Sequence, residues 1–153
     1  MMKIKKIGID FHGVINQDPA FFQALTTAAV EQGIEVHIVS GGPRRHIERY
    51  AEKYGIRYHK IWCIFDFYKH KELIQFLPDG SFHMDDELWN KAKADYCRQE
   101  EIALHIDDSN VYGDYFTSPY CLYNPTDKSC TINGKTIAMQ GSASEVLTRL
   151  TES

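Results

Sequence analysis

KIKKIGIDFHGVIN, residues 3–16, is the stretch on which the fold turns. From Lys3 to Asp10 apolar residues first alternate and then run on, the pattern of a strand buried in a parallel sheet, and the run stops at a carboxylate. Asp18-Pro19 follows as a helix start, with Asp as N-cap and Pro in the first turn, and Phe22, Leu25, Ala29 and Val30 recur at helical spacing up to Gln32 and Gly33. EVHIVS, residues 35–40, is short and β-branched. The turn GGP then opens a second helix through Ile47, Tyr50 and Ala51, closed by Gly55. Two strand-helix units are therefore complete by residue 55.

Further along, KIWCIFDF at 60–67 reads as a third strand. Pro78-Asp79-Gly80-Ser81 separates two short apolar groups, which gives a small hairpin insertion over 74–84. A helix is expected from Asp85 or Asp86 past Trp89, Ala92 and Cys97. IALHID, residues 102–107, makes the fourth strand and residues 120–123 the fifth. Asn133-Gly134 marks a hairpin, and Ser142 or Ser144 caps a closing helix to Leu150.

Strands alternating with crossover helices give an α/β fold, a mostly parallel sheet with helices on both faces, and such sheets bind ligands beyond the carboxyl ends of their strands. Asp10, Ser40 and Asp107 each end a predicted strand, so three polar groups from distant positions are expected on one rim.

The chain has 153 residues, 43% of them hydrophobic, which suits one globular domain over 1–153. A net charge of -4 disfavours a broad basic surface for nucleic acid. Gly8 and Asp10 break the N-terminal apolar run too early for a secretory signal, and no stretch approaches the roughly 20 apolar residues of a membrane span. A cytoplasmic protein without membrane partners is expected. Cys63, Cys97, Cys121 and Cys130 form no Cys-x-x-Cys pair and read as reduced thiols, and no two histidines stand at the spacing of a zinc-binding helix.

IGIDFHGVIN, then HIVSGGP, then HIDDS, in this order over residues 4–114, resembles the signature of the haloacid dehalogenase-like superfamily of phosphotransferases. The resemblance implies a three-layer Rossmann-like domain. It also implies a magnesium-dependent phosphohydrolase in which Asp10 is the nucleophile and an aspartyl-phosphate forms. Magnesium would be held by Asp10, the backbone carbonyl of His12 and the pair Asp107-Asp108, with Asp107 as the direct ligand. Ser40, with the amides of Gly41 and Gly42, would bind phosphoryl oxygens, and Gly13 would allow the backbone to approach them. The family's lysine falls to Lys93, 14 residues before Asp107, with Lys91 as the alternative on the same helix.

Two departures stand out. His12 occupies the place of the family's second Asp, the general acid and base, and imidazole is itself capable of proton transfer. Ser109-Asn110-Val111-Tyr112 also lacks the usual further Asp, with Asp114 displaced. The short connections leave no room for a full cap domain. An open site suits a large phosphorylated substrate such as a protein or a nucleic-acid end, or a lid lent by another subunit of a homo-oligomer, and Lys69, His70 and Lys71 stand beside the hairpin to meet such a substrate. The rival readings are a catalytically silent relative that binds phosphate, nucleotide or a partner, and a receiver-like or flavodoxin-like domain whose acidic strand ends are chance.

Overall fold

The computed structural model describes residues 4–152; the Lys3 start of the expected first strand lies outside them. The strands β1 (Lys6–Ile9), β2 (Glu35–Ser40), β3 (Lys60–Cys63), β6 (Leu104–Asp107), β7 (Tyr120–Asn124), β8 (Ser129–Ile132) and β9 (Lys135–Ala138) form one sheet in the order β3-β2-β1-β6-β7-β8-β9. Pairing is parallel from β3 to β7 and antiparallel from β7 to β9. The chain order reverses at β1, which lies between β2 and β6, and this is the switch point where an open α/β sheet leaves a crevice.

Strand alternation divides the core. Ile7, Ile9, Val36, Ile38, Leu104 and Ile106 point into one large apolar cluster, shared with Phe22 and Leu25 of α1 (Pro19–Glu31) and Ile47 of α2 (Arg44–Tyr54). Val146 and Leu150 of α6 (Ala143–Thr151) complete it. Phe22 is fully buried there, and truncating such a side chain to Ala costs about 3–5 kcal/mol. The opposite parity, with Val39, packs on α4 (Asp86–Gln99) through Cys97, and Ile102, just before β6, joins that smaller cluster. Gly8, Asp10, His105 and Asp107 share that second parity, so both strand-end carboxylates face α4.

The caps read at Asp18 and Ser142 are present, and the helix expected from Asp85 or Asp86 is capped by Asp85. Asp18 accepts from the amide of Phe21, Asp85 from Leu88 and Ser142 from Glu145. The small hairpin is present as β4 (Gln75–Phe76) and β5 (Phe82–His83). Among the described residues no helix is long and apolar enough to cross a membrane.

Two expectations are corrected. The apolar run from Lys60 does not remain a strand to Phe67: it ends at Cys63 and turns into α3 (Ile64–Lys69). Ile64 and Tyr68, four apart, are buried together against α4, and the amide of Phe65 donates to the Gly41 carbonyl at 3.0 Å. A short apolar run satisfies either period, and here packing selects the helix. The four cysteines are not all thiols either. Cys121 and Cys130 are joined as a disulfide across β7 and β8, with Cα atoms 5.6 Å apart, while Cys63 and Cys97 are free and buried. Tyr123 pairs with Cys130, so Cys121, two residues away on the same face, is its diagonal neighbour. Their separation of nine residues carries no pair motif, and only strand register brings them together.

Denatured, unreduced protein should accordingly take up alkylating reagent at Cys63 and Cys97 alone, and at all four cysteines after reduction. Peptide mass mapping reads this directly, and modification of Cys121 or Cys130 before reduction would contradict the pairing.

Candidate active site

The carboxyl ends of β1 and β6 are adjacent because the strands pair in parallel with Ile9 opposite Ile106, and the amide of Asp10 donates to the Ile106 carbonyl at 2.8 Å. This aligns Asp10 and Asp107, both buried. Lys93 enters from α4. Its Nζ lies 3.0 Å from Asp10 Oδ1 and 2.7 Å from Asp107 Oδ2, and the residue is 1% exposed. Lys91, two residues away, is rotated by about 200° on the helix and does not line the cavity, so Lys93 is the lysine that reaches the strand ends.

The charges do not balance. Asp10, Asp107 and Asp108 each offer an oxygen within 4.8 Å of the others, and Lys93 supplies one compensating charge. Burial pushes the Asp10 carboxyl up to about 8; Lys93 opposes this and the Asp107 charge reinforces it. Asp107 takes the other half of the imbalance. Burial acts against its ionised form as well, but the His105 hydrogen bond and Lys93 outweigh it and hold the carboxyl well below the usual range. Burial likewise disfavours the Lys93 ammonium, yet Asp10 and Asp107 keep its pKa above the ordinary value. Asp108 is shifted up by burial and by Asp107. Three converging carboxylates with one ammonium leave an excess of negative charge and a set of hard oxygen donors. That is a fit for a hard divalent cation.

The glycines confirm how closely this rim is built. Gly13 has φ +85°, and a Cβ there would lie 2.0 Å from Asp108 Oδ2, so only glycine leaves the carboxylate its place. The Gly13 amide donates to Asn16 Oδ1 at 2.8 Å, which tightens the loop after Asp10. Gly41 and Gly42 line the same cavity as Asp10 and Asp108. Ser40 is fully buried behind them and does not line the cavity; its Oγ accepts from the Gly42 amide at 3.4 Å. His12 is exposed and lines the cavity. Its Nε2 donates to the Gly42 carbonyl at 3.1 Å, bridging the loops after β1 and β2. Lys69, His70 and Lys71 stay exposed at the end of α3 and do not line the cavity.

Sequence reasoning passed over His105, Trp89 and Tyr112. His105 is wholly buried and its Nε2 donates to Asp107 Oδ2 at 2.9 Å; Nδ1 faces Gly8 and has no hydrogen-bond partner among the described residues. Its signal was present, since a polar residue two before Asp107 on a strand must share its face. Trp89 stands four residues before Lys93 and hence on the same helix face. Tyr112 had no such signal, as it belongs to α5 (Asn110–Gly113), whose path is decided by packing.

Because the folded pKa of Asp10 lies above its unfolded value, the wild type without divalent cation loses stability as pH rises from about 4 to about 8. Asp10→Asn lacks this group. In chelator, denaturant unfolding should show the variant gaining on the wild type across that window by up to about 5 kcal/mol, with no further gain above it. A difference independent of pH would mean that Asp10 is not held protonated by the fold.

A comparison with curated proteins finds no significant match. A family model of haloacid dehalogenase-like hydrolases, in contrast, matches residues 7–116, from the first strand through the acidic pair to the turn beyond α5. With strand order, acidic strand ends and this match in agreement over more than half of its length, the chain belongs to the haloacid dehalogenase-like hydrolases.

Proposed function

We propose that the chain is a magnesium-dependent phosphohydrolase that works through an aspartyl-phosphate on Asp10. The observation that carries the reading is the buried Asp10–Lys93–Asp107 bridge with Asp108 beside it, at the floor of a cavity. Asp10, Asp107, Asp108 and the His12 carbonyl would hold magnesium. Bound magnesium would supply the positive charge that lets a carboxylate and a phosphoryl group meet.

The residues themselves divide the work. Asp10 attacks phosphorus, its oxygen forming the new bond as the ester oxygen leaves with the electron pair and takes up a proton. Water then cleaves the acyl phosphate, releasing phosphate and restoring the carboxylate. Lys93 holds Asp10 in place and offsets its charge, and His105 fixes the orientation of Asp107. The Gly41–Gly42 loop meets the phosphoryl oxygens, the Gly41 amide donating to them while Ser40 accepts from the Gly42 amide and supports the loop from behind.

We read the protein as a single cytoplasmic domain with an uncapped site. The short connections support this: α1 alone links β1 to β2 apart from a 3-10 turn at Ile15–Gln17, and α3, a two-stranded hairpin and α4 link β3 to β6. The cytoplasmic part sits uneasily with the Cys121–Cys130 disulfide, a bond more usual in oxidising compartments. An uncapped site admits a phosphate at the end of a large substrate, protein or nucleic acid, as well as a small one, or accepts a lid from a second copy of the chain.

A second reading is favoured by one observation. His12, in the place of the family's acid and base, donates Nε2–H to Gly42. In the neutral ring that is the only N–H proton, so the imidazole acts there as a tie between loops and leaves the ester oxygen without a donor. A catalytically silent protein that binds phosphate, nucleotide or a partner at this site follows from that assignment.

Activity on a panel of phosphate esters with and without magnesium tests the first reading. Asp10→Asn should abolish turnover while the fold persists, and retained activity would mean a contaminant or another site. His12→Asp separates the two readings. If the wild type is silent, the variant should gain activity by about 10²–10⁴-fold. If the wild type is active and the variant slower, His12 is the proton donor. If neither hydrolyses an ester or binds magnesium, phosphoryl transfer is ruled out.

A further inference from the structure

The cavity over Asp10 has a charged floor and aromatic walls. Its volume is about 540 Å³, and Asp10, Lys93 and Asp108 share it with Phe65, Phe82 and Trp89. The ring centroids of Phe65 and Phe82 are 4.9 Å apart and those of Phe82 and Trp89 5.6 Å, so the three rings form one continuous surface. α3 contributes the first, β5 the second and α4 the third.

This surface is joined to the floor. A Cβ on Gly41 would lie 3.1 Å from Trp89 Cζ2, which puts the indole against the Gly41–Gly42 loop that lines the cavity. Trp89 Nε1 donates to Tyr112 Oη at 3.2 Å, and Lys93 Nζ sits 4.3 Å from the centroid of the Tyr112 ring. The lysine that bridges the carboxylates thus also touches the ring that anchors the indole. Phe82 is 40% exposed at the mouth, an apolar surface left to water.

What the walls lack is equally informative. Lys93 is the only lysine or arginine among the described residues lining the cavity, and Asp10 and Asp107 both engage its ammonium. A leaving group bearing more phosphates or carboxylates would find no cation there. A flat apolar ring would instead pack among three rings tilted to one another by 58° and 40°, taking apolar area out of water and gaining stacking or edge contact besides.

We propose that the group esterified to the phosphate carries a flat aromatic ring, seated on the surface made by Phe65, Phe82 and Trp89. The proposal rests on the phosphohydrolase reading of the floor and adds the substrate class that the walls select.

The test separates ring recognition from leaving-group chemistry by comparing benzyl phosphate with cyclohexylmethyl phosphate, both esters of primary alcohols. Adenosine 5′-monophosphate against ribose 5-phosphate places the ring one sugar further out. In at least one pair the wild-type protein with magnesium should favour the aromatic ester by about tenfold in kcat/KM, mainly through KM, the size expected of ring stacking. Trp89→Leu and the more exposed Phe82→Leu should each bring that ratio towards one. A ratio near one in both pairs, or a ratio that both variants leave intact, overturns the proposal even when hydrolysis is rapid. Absence of all hydrolysis defeats the phosphohydrolase reading separately, and the proposal is then decided by calorimetry. Benzylphosphonate should bind about tenfold more tightly than cyclohexylmethylphosphonate, or adenosine 5′-monophosphate than ribose 5-phosphate, and equal affinities within both pairs overturn it.

Discussion

Everything at the carboxyl edge of the sheet depends on one buried ammonium. Lys93 is 1% exposed and bridges Asp10 at the end of β1 to Asp107 at the end of β6. An isolated charge at such depth costs several kcal/mol, so the two strands and α4 hold their relative positions partly because any shift strands a charge. The bridge leaves one carboxylate over. Burial first and then the Asp107 charge raise the Asp10 pKa, and the residual negative charge makes the cluster receptive to a divalent cation. Stability has been given up at this rim, as is common where a fold carries a site.

The loops that surround the bridge are held by few, short connections. The amide of Asp10 is tied to Ile106, the ring of His12 to Gly42, and the amide of Phe65 to Gly41. The Arg44 amide donates to Asp66 at 2.8 Å, which joins the start of α2 to α3. These bonds link the ends of three parallel strands into one rim, so that a shift of α3 would move the Ser-Gly-Gly loop with it. The turn from β3 into α3 is therefore more than a boundary detail. It delivers Phe65 to the cavity and gives the rim its aromatic side. The disulfide, by contrast, lies on the antiparallel extension away from the cavity and reinforces the part of the sheet that carries no site residue.

Much of this was legible in the order of residues. A parallel strand with one acidic end is an apolar run that stops at Asp, and both Ile-Gly-Ile-Asp and Leu-His-Ile-Asp have that form. Since parallel strands share a direction, their carboxyl ends must lie on one edge, and the convergence of Asp10 and Asp107 follows from topology without any coordinate. The caps at Asp18, Asp85 and Ser142 are local hydrogen bonds, and local signals survive in sequence. Spacing alone points to Lys93 rather than Lys91, and it is the Lys93 Nζ that lies 3.0 Å from Asp10 Oδ1.

What the sequence by itself determined is thus whatever depends on period and chain direction: the strand-helix alternation, the parallel sheet, and the edge on which the acidic groups meet. Only the tertiary structure decided matters settled by contacts between distant segments. KIWCIFDF satisfies both a strand and a helix pattern, and the burial of Ile64 and Tyr68 against α4 chose the helix after Cys63. Cys121 and Cys130 carry no motif, and antiparallel register alone made them diagonal neighbours. Phe65, Phe82, Trp89 and Tyr112 come from four elements, and no periodicity within one segment reports a surface built from several. The Asp10 carboxyl, likewise, has the same chemistry in any sequence; its raised pKa is set by burial and by the charges that folding gathers around it.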